Sequence, residues 1–443
     1  MKFFRIINNN YPQLKFKFYK NATKEELEEL RNEYISILNN CHWGQLKLFY
    51  TEFEFLELIS QHIDLSTCLI LYVGAADGSH LNLLLEFYPM INLLLYDPNE
   101  FKIKESKNVI IKTGNDGFFS DEKIPEVLNI ANGRKIVYIS DIRLTDEDEY
   151  KRQKVIYNDM IIQQRWAITM SSEFMLFKFR MFYYKESPKE VDFIDNSYVK
   201  NEFYNKNTII EDKTDIKFDD MLYLFGKLYL QIYSPTRSGE TRLYVSKIKY
   251  HKDAKLYTKE EQNKYKMTYY NNIKYESQLN YFNVHDRNKQ YKWGHSDKMA
   301  LYIPGMNVNY ASACEYYLIY RYLKRFNLKK TFNEVLNVMI KIILFMNTHY
   351  NNNLVICQSK AFKKILEKKD YINEIGGYHI DKYIVEVLEN TQKKFKEQIK
   401  NLNSTNLIDK ILVDKLIKSY NKKSEFYNIY NGEIIIKYTS ESY

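Results

Sequence analysis

A continuous apolar run that ends in a glycine-containing turn occupies residues 67–79, which read TCLILYVGAADGS. Such an unbroken run is typical of a parallel strand buried on both faces. A helix is predicted from about Ser79 to Tyr88, where Pro89 stops it. Further apolar runs lie at 92–96, 109–112, 135–140 and 174–180. A crossover helix is predicted over 150–169, before the last of these runs. Strands that alternate with helices predict an α/β sheet with helices on both faces.

The flanking sequence extends this sheet and adds helices. A capping box at 23–26 predicts a helix over 24–39, and helical apolar spacing predicts another over 45–60. Two strand candidates surround a turn-rich loop at 234–239 and are expected to close the sheet in antiparallel fashion; they cover 222–233 and 241–249. From about Thr258 the pattern is helical, most clearly at 311–326, 331–349, 380–400 and 405–421. We therefore divide the chain into an N-terminal helical arm (1–40), a core domain (41–257), a basic helical region packed on it (258–350) and a helical tail (351–443).

Composition excludes several classes of protein. With 45% apolar and 27% charged residues, the 443-residue chain is too apolar to be disordered. The four cysteines, Cys41, Cys68, Cys314 and Cys357, form no CxxC pair, which predicts neither a zinc site nor a disulfide framework. No apolar stretch is long enough for a secretory signal or a membrane span. These features predict a soluble, intracellular protein without a metal.

Charge is unevenly distributed along the chain. Residues 1–240 carry 30 basic and 36 acidic residues, whereas 241–350 carry 19 and 8. The basic segment is typical of a surface that faces a polyanion. The alternative is that these lysines only solvate helices.

The turn at Gly74 and Gly78 lies where an open parallel sheet binds nucleotides. Its GxxxG spacing lacks the dinucleotide fingerprint GxGxxG, and Asp77 would place a negative charge beside a pyrophosphate, which disfavours NAD. A ligand with a cationic end and a ribose fits better, because Asp97 at the next strand end can accept hydrogen bonds from ribose hydroxyls. S-adenosylmethionine has both features. The alternative is a tight turn of small residues with a capping acid.

Charged side chains also stand at later strand ends. Asp141 follows the strand at 135–140, on the same sheet edge as Asp97, although acids in this position commonly cap helices. Lys178 interrupts an apolar strand, which is costly unless the lysine is paired or used. With Lys47 and Glu240 these residues form a possible Lys-Asp-Lys-Glu set.

Five blocks of sequence, taken together and in order, carry a resemblance: 44–48, 72–80, 139–143, 176–178 and 238–243. They resemble the poxvirus family of cap-specific mRNA (nucleoside-2′-O-)-methyltransferases, which also serve as the small regulatory subunit of the viral poly(A) polymerase. The resemblance covers about residues 40–350, and 351–443 looks like an added tail. It implies a Rossmann-like, S-adenosylmethionine-dependent methyltransferase domain over 41–257.

The resemblance also implies roles for individual residues. Lys47, Asp141, Lys178 and Glu240 would form the catalytic tetrad, with Lys178 as the base for a ribose hydroxyl and no metal required. The implied cofactor contacts are Gln45, Tyr72, Gly74, Gly78 and Asp97, with Asp141 touching the methionine end. Two positions depart from the family, which usually has proline in place of Asp77 and arginine in place of Asn99.

A cap pocket is implied in which N7-methylguanine stacks between two aromatic rings, and its positive charge strengthens the stacking. Tyr183 matches one ring and Tyr19 is the candidate for the other. Glu261 lies near one expected acid, and Lys185 occupies the position of the second.

The predicted function is methyl transfer from S-adenosylmethionine to the first transcribed nucleotide of capped mRNA, in the host cytoplasm or virion if the protein is viral. A poly(A) polymerase catalytic subunit is a possible partner. One alternative is a non-catalytic RNA-binding subunit that raises the processivity of that polymerase. Another is a methyltransferase of ribosomal RNA, which would share the tetrad but need no cap pocket.

Overall fold

The computed structural model describes residues 43–182, 194–217, 219–234, 239–282 and 308–325, together with Val335, Val338 and Ile342. Within these residues the strands are, in chain order, β1 (Cys68–Val73), β2 (Asn92–Tyr96), β3 (Val109–Lys112), β4 (Lys135–Ser140), β5 (Phe174–Phe179), β6 (Thr208–Ile210), β7 (Asp220–Leu224), β8 (Lys227–Tyr229), β9 (Thr241–Ser246) and β10 (Tyr265–Asn271). The α-helices are α1 (Trp43–Ile59), α2 (Ser79–Phe87), α3 (Ile124–Ala131), α4 (Glu149–Thr169), α5 (Glu202–Asn207), α6 (Asn272–Tyr281) and α7 (Val308–Arg325).

Seven strands form the central sheet in the order β3-β2-β1-β4-β5-β9-β8. Strands β1 to β5 are parallel, whereas β9 runs antiparallel to both β5 and β8. The chain order reverses between β1 and β4, which is where open sheets of this kind bind ligands. The predicted α/β sheet with an antiparallel closure is confirmed, and the fold is Rossmann-like.

The predicted strand at 222–233 is wrong as a single element. It divides at Gly226 into β7, which belongs to a second sheet of order β6-β10-β7, and β8, which joins the central sheet. A Cβ at Gly226 would lie 2.2 Å from the carbonyl oxygen of Tyr244, so only glycine lets the chain pass this close to β9. The change of sheet takes place at this close approach.

The helical pattern predicted from Thr258 onward is also interrupted. Residues 265–271 form β10, which pairs antiparallel with β7 over Met267 to Asn271. Tyr265 and Met267 are buried while Lys266 between them is partly exposed, which is the alternation of a strand. The helix predicted at 311–326 is present as α7. The predicted helices 24–39, 380–400 and 405–421 lie outside the described residues, as does 331–349 except for Val335, Val338 and Ile342.

Aromatic side chains fasten α7 to the core. The ring of Phe53 on α1 lies 5.1 Å from that of Phe87 on α2 and 5.3 Å from that of Tyr322 on α7. The Tyr322 hydroxyl donates a hydrogen bond to the carbonyl of Phe87, at 2.7 Å. Helix α7 is therefore part of the same core as the sheet. None of the helices in the described ranges is long and apolar enough to cross a membrane.

Candidate active site

The turn after β1 is held tightly against the ends of its neighbouring strands. Gly74 has a φ of +78°, and a Cβ there would lie 2.9 Å from the carbonyl carbon of Asp141. Its N–H donates to the carbonyl of Tyr96 at the end of β2, at 2.8 Å. The atoms that approach Gly74 thus belong to the protein, so this glycine brings Asp141 beside the turn rather than only making room for a ligand.

Asp97, at the end of β2, is 7% exposed and organises this turn. Its Oδ2 accepts from the N–H of Ala76 at 2.8 Å, and its Oδ1 accepts from the backbone and side-chain nitrogens of Asn99, at 2.9 and 2.8 Å. Asn99, where the resembled family has arginine, therefore fixes the carboxylate. Because each carboxylate oxygen can accept two hydrogen bonds, Oδ2 retains capacity for a ligand hydroxyl.

The carboxylate of Asp77 interacts with neighbouring groups of the protein. Its Oδ1 accepts from the N–H of Ser79, the first residue of α2, at 3.0 Å, and its Oδ2 lies 2.9 Å from the ammonium of Lys102. Gly78, the second glycine of the turn, is covered by the side chains of Phe101 and Ile103. The negative charge predicted to face a ligand at Asp77 is therefore paired with Lys102.

The four side chains of the predicted tetrad come together at the carboxyl edge of the sheet. The Lys178 Nζ lies 2.9 Å from Asp141 Oδ1 and 3.7 Å from Glu240 Oε2, and the Lys47 Nζ lies 4.0 Å from Glu240 Oε1. Four segments of the chain supply them: Lys47 is in the first turns of α1 and Lys178 is in β5, whereas Asp141 follows β4 and Glu240 precedes β9. All four remain partly accessible, between 13% and 24% exposed. The cluster is therefore open to a ligand.

Arg242 is a fifth member that the sequence reasoning did not single out. It is 3% exposed, and its Nη2 lies 2.9 Å from Asp141 Oδ1 while its Nη1 lies 3.7 Å from Glu240 Oε1. In the antiparallel pairing of β5 with β9, Arg242 stands directly opposite Lys178, so both side chains project from the same face. Only this register identifies it, because the sequence does not say which residue of β9 faces Lys178.

Burial and the neighbouring charges shift the pKa values of the residues in this cluster. Burial by itself raises the pKa of Asp141, but the charges of Arg242 and Lys178 outweigh burial and lower it. The pKa of Glu240 is lowered in the same way, since Lys178, Arg242 and Lys47 outweigh its burial. Burial lowers the pKa of the Lys47 ammonium, against the opposing charge of Glu240. Both carboxylates are therefore ionised at neutral pH.

A cavity of about 210 Å³ opens over this cluster. Its lining residues are Gly44, Gln45, Lys47, Leu48, Asp141, Lys178 and Arg242. Three of the tetrad residues and Arg242 therefore contact one space.

The predicted cap residues are not brought to this cavity by the described part of the structure. Tyr183 and Tyr19 lie outside the described residues. The Glu261 carboxylate accepts from the backbone N–H and the hydroxyl of Thr258, at 2.8 and 2.9 Å, and so closes its own turn. Among the described residues, no group of three or more His, Cys, Asp or Glu side chains could hold a metal ion.

Comparison with known proteins supports the resemblance seen in the sequence. Residues 10–200 match the family described as poly A polymerase regulatory subunit, which confirms that resemblance over this range. No curated protein matches the chain. Among solved structures the chain is similar to bluetongue virus VP4, described as a multifunctional RNA-capping production line, at 13% identity and a TM-score of 0.33. That similarity covers 51% of this chain but only 30% of VP4.

Proposed function

We propose that this protein transfers a methyl group from S-adenosylmethionine to a ribose 2′-oxygen of RNA, and that its substrate is the first transcribed nucleotide of capped mRNA. One observation carries the proposal: the Lys178 amine lies 2.9 Å from Asp141 and within 4 Å of Glu240, beside an open cavity. A lysine in an apolar strand is costly unless it is used or paired; Lys178 is paired with Asp141 and also lines the cavity, where an acceptor can reach its amine.

The residues present fit the cofactor. S-adenosylmethionine, when bound, supplies a methyl group on a sulfonium that carries its own leaving group. Asp97 retains an acceptor site for a ribose hydroxyl, Gln45 offers an amide at the cavity wall, and Asp141 provides negative charge close to the turn. The cavity of about 210 Å³ is smaller than the ~300–1,000 Å³ of typical ligand pockets, so it suits the acceptor ribose and the transferred group rather than the whole cofactor.

The residues of this site bind and deprotonate the acceptor hydroxyl. Lys178 acts as the general base and takes the proton of the 2′-hydroxyl as the new oxygen–carbon bond forms and the methyl–sulfur bond breaks. Asp141 and Glu240 stabilise the ammonium that results and hold it in line with the cavity. Arg242, paired with both carboxylates, fixes their positions, and much of the rate enhancement comes from this alignment.

The test uses the full chain with labelled S-adenosylmethionine and three RNAs: capped, uncapped, and capped with the first ribose already methylated. We expect label only in the capped, unmodified RNA. Lys178→Ala should abolish transfer and leave binding of S-adenosylhomocysteine unchanged, because Lys178 acts on the acceptor. The control is Lys107→Ala, since Lys107 is exposed and precedes β3, at the opposite edge of the sheet. Label in uncapped structured RNA would favour a ribosomal RNA methyltransferase, and transfer that survives Lys178→Ala would refute the mechanism.

A second function is favoured by the family match over residues 10–200. In this reading the protein is a non-catalytic, RNA-binding regulatory subunit of a poly(A) polymerase, and its partner is the catalytic subunit. The observation that would select it is stimulated polyadenylation when the protein is added to that subunit, with no methyl transfer to any RNA. The regulatory role can also coexist with methyl transfer in one protein, in which case Lys178→Ala removes methyl transfer and leaves the stimulation intact.

A further inference from the structure

A buried chain of polar groups runs beneath the wall of the cavity. The Tyr72 hydroxyl on β1 donates to Glu52 Oε1 on α1 at 2.7 Å, and the same oxygen lies 3.0 Å from His80 Nε2 on α2. The other ring nitrogen, His80 Nδ1, lies 2.6 Å from Gln45 Oε1 on α1. Of these four residues, Gln45 alone lines the cavity.

A contribution to folding stability does not explain why these polar groups are buried. His80 is 0% exposed, and Glu52 and Tyr72 are each 1% exposed. Replacing both partners of a buried hydrogen bond by apolar groups of the same shape can be nearly neutral or stabilising. Moreover, Glu52 Oε2 meets no hydrogen-bond donor among the described residues, which adds a cost that an apolar side chain would not have. Three elements thus converge on a polar arrangement that leads to one side chain at the cavity.

The directions of these hydrogen bonds determine how the Gln45 amide is oriented. Burial, and after it the charge of Glu52, raises the pKa of Tyr72 well above its ordinary value, so its hydroxyl stays protonated and donates to Glu52. The His80 ring then lies between two acceptor oxygens, one on Glu52 and one on Gln45. An amide oxygen only accepts, so the 2.6 Å contact is a hydrogen bond when His80 Nδ1 carries the hydrogen, and in that tautomer the Gln45 NH₂ is left to face the cavity.

We propose that Glu52 and His80 are positioning residues that hold the Gln45 amide with its NH₂ group toward the carboxylate of the cofactor's amino acid moiety. The inference rests on the proposed function, because it assumes that S-adenosylmethionine is the cofactor. Without the ring, the amide is free to rotate, and its oxygen can then oppose the ligand carboxylate.

The test is a double-mutant cycle on the affinity for S-adenosylhomocysteine, measured by calorimetry on the full chain. Gln45→Ala should weaken binding by about tenfold, the value of one hydrogen bond to a charged group. His80→Phe, which keeps a ring without nitrogens, should weaken it by a similar factor. The double variant should bind no more weakly than either single variant, since both act through one amide. His80→Gln, which keeps a donor, should recover part of the affinity lost in His80→Phe.

The matched control is Tyr265→Phe. It also removes a buried hydrogen bond, from the Tyr265 hydroxyl to the carbonyl of Ser172 at 2.7 Å. This bond lies just before β5 begins, at the edge of the sheet opposite to the site. It should lower the melting temperature and leave binding unchanged. If the double variant loses about a hundredfold, the product of the single effects, or if a folded His80→Phe protein binds as wild type does, the inference is refuted. A wild-type protein that does not bind S-adenosylhomocysteine refutes the proposed function instead.

Discussion

A single buried carboxyl group should make the stability of this protein fall with rising pH. Glu315 on α7 is fully buried and accepts hydrogen bonds from the hydroxyls of Tyr50 on α1 and Tyr233, the latter at 2.5 Å. Burial raises its pKa from 4.5 to about 8, although the two hydrogen bonds oppose this. The perturbation is Glu315→Gln, which keeps the shape and an acceptor oxygen but cannot ionise.

The magnitude follows from proton linkage. The pKa of Glu315 is higher in the folded protein than in the unfolded one. Its contribution to the free energy of unfolding is therefore fully present below pH 4.5, falls as the pH rises, and does not change further above about pH 8. One unit of pKa corresponds to about 1.4 kcal/mol, so between pH 5 and pH 7 the wild-type protein should lose about 2.5 kcal/mol that Glu315→Gln keeps.

The assay is urea unfolding of both proteins at pH 5, 6 and 7, followed by tryptophan fluorescence, with the difference between them as the measured quantity. Other titrating groups cancel in that difference. Glu86→Gln, on the exposed side of α2, is the control and should show no such trend. A difference between wild type and Glu315→Gln that stays constant within about 0.5 kcal/mol over this range would refute the reasoning.

Three further predictions concern the site. Gly74→Ala should lower the free energy of unfolding by about 1–3 kcal/mol, because alanine is strained at φ +78° and its Cβ would meet the backbone of Asp141; unchanged denaturation would contradict this. Arg242→Met should cost about 3–5 kcal/mol by leaving two carboxylates short of a cation, and it should raise the pKa of Asp141, which NMR titration can follow. Asp97→Asn should weaken S-adenosylhomocysteine binding by about tenfold, because an amide NH₂ would replace one of the acceptor oxygens; equal affinity would exclude Asp97 from the cofactor site.

Much of the central sheet can be read from local sequence. Strands β2, β3 and β4 have the bounds expected from their apolar runs, and β1 begins one residue later, at Cys68. The signal is clearest for β1, which is buried at every residue and therefore needs an unbroken apolar run. Gly74, Asp97 and Asp141 follow those runs directly, so their place at one edge was predictable. The division of residues 222–233 was not, because it depends on how closely Gly226 passes Tyr244 in another strand.

The sequence alone determined which residue types stand at the ends of the parallel strands, because apolar runs and the charged residues after them are local features. Tertiary structure decided which side chains meet. Arg242 joins Asp141 through the register of β9 on β5, and His80 reaches Gln45 because α1 and α2 pack together. Glu315, 265 residues from Tyr50, titrates as it does only because α7 is buried against the core. Register, packing and burial are properties of contacts between distant segments, and no local pattern encodes them.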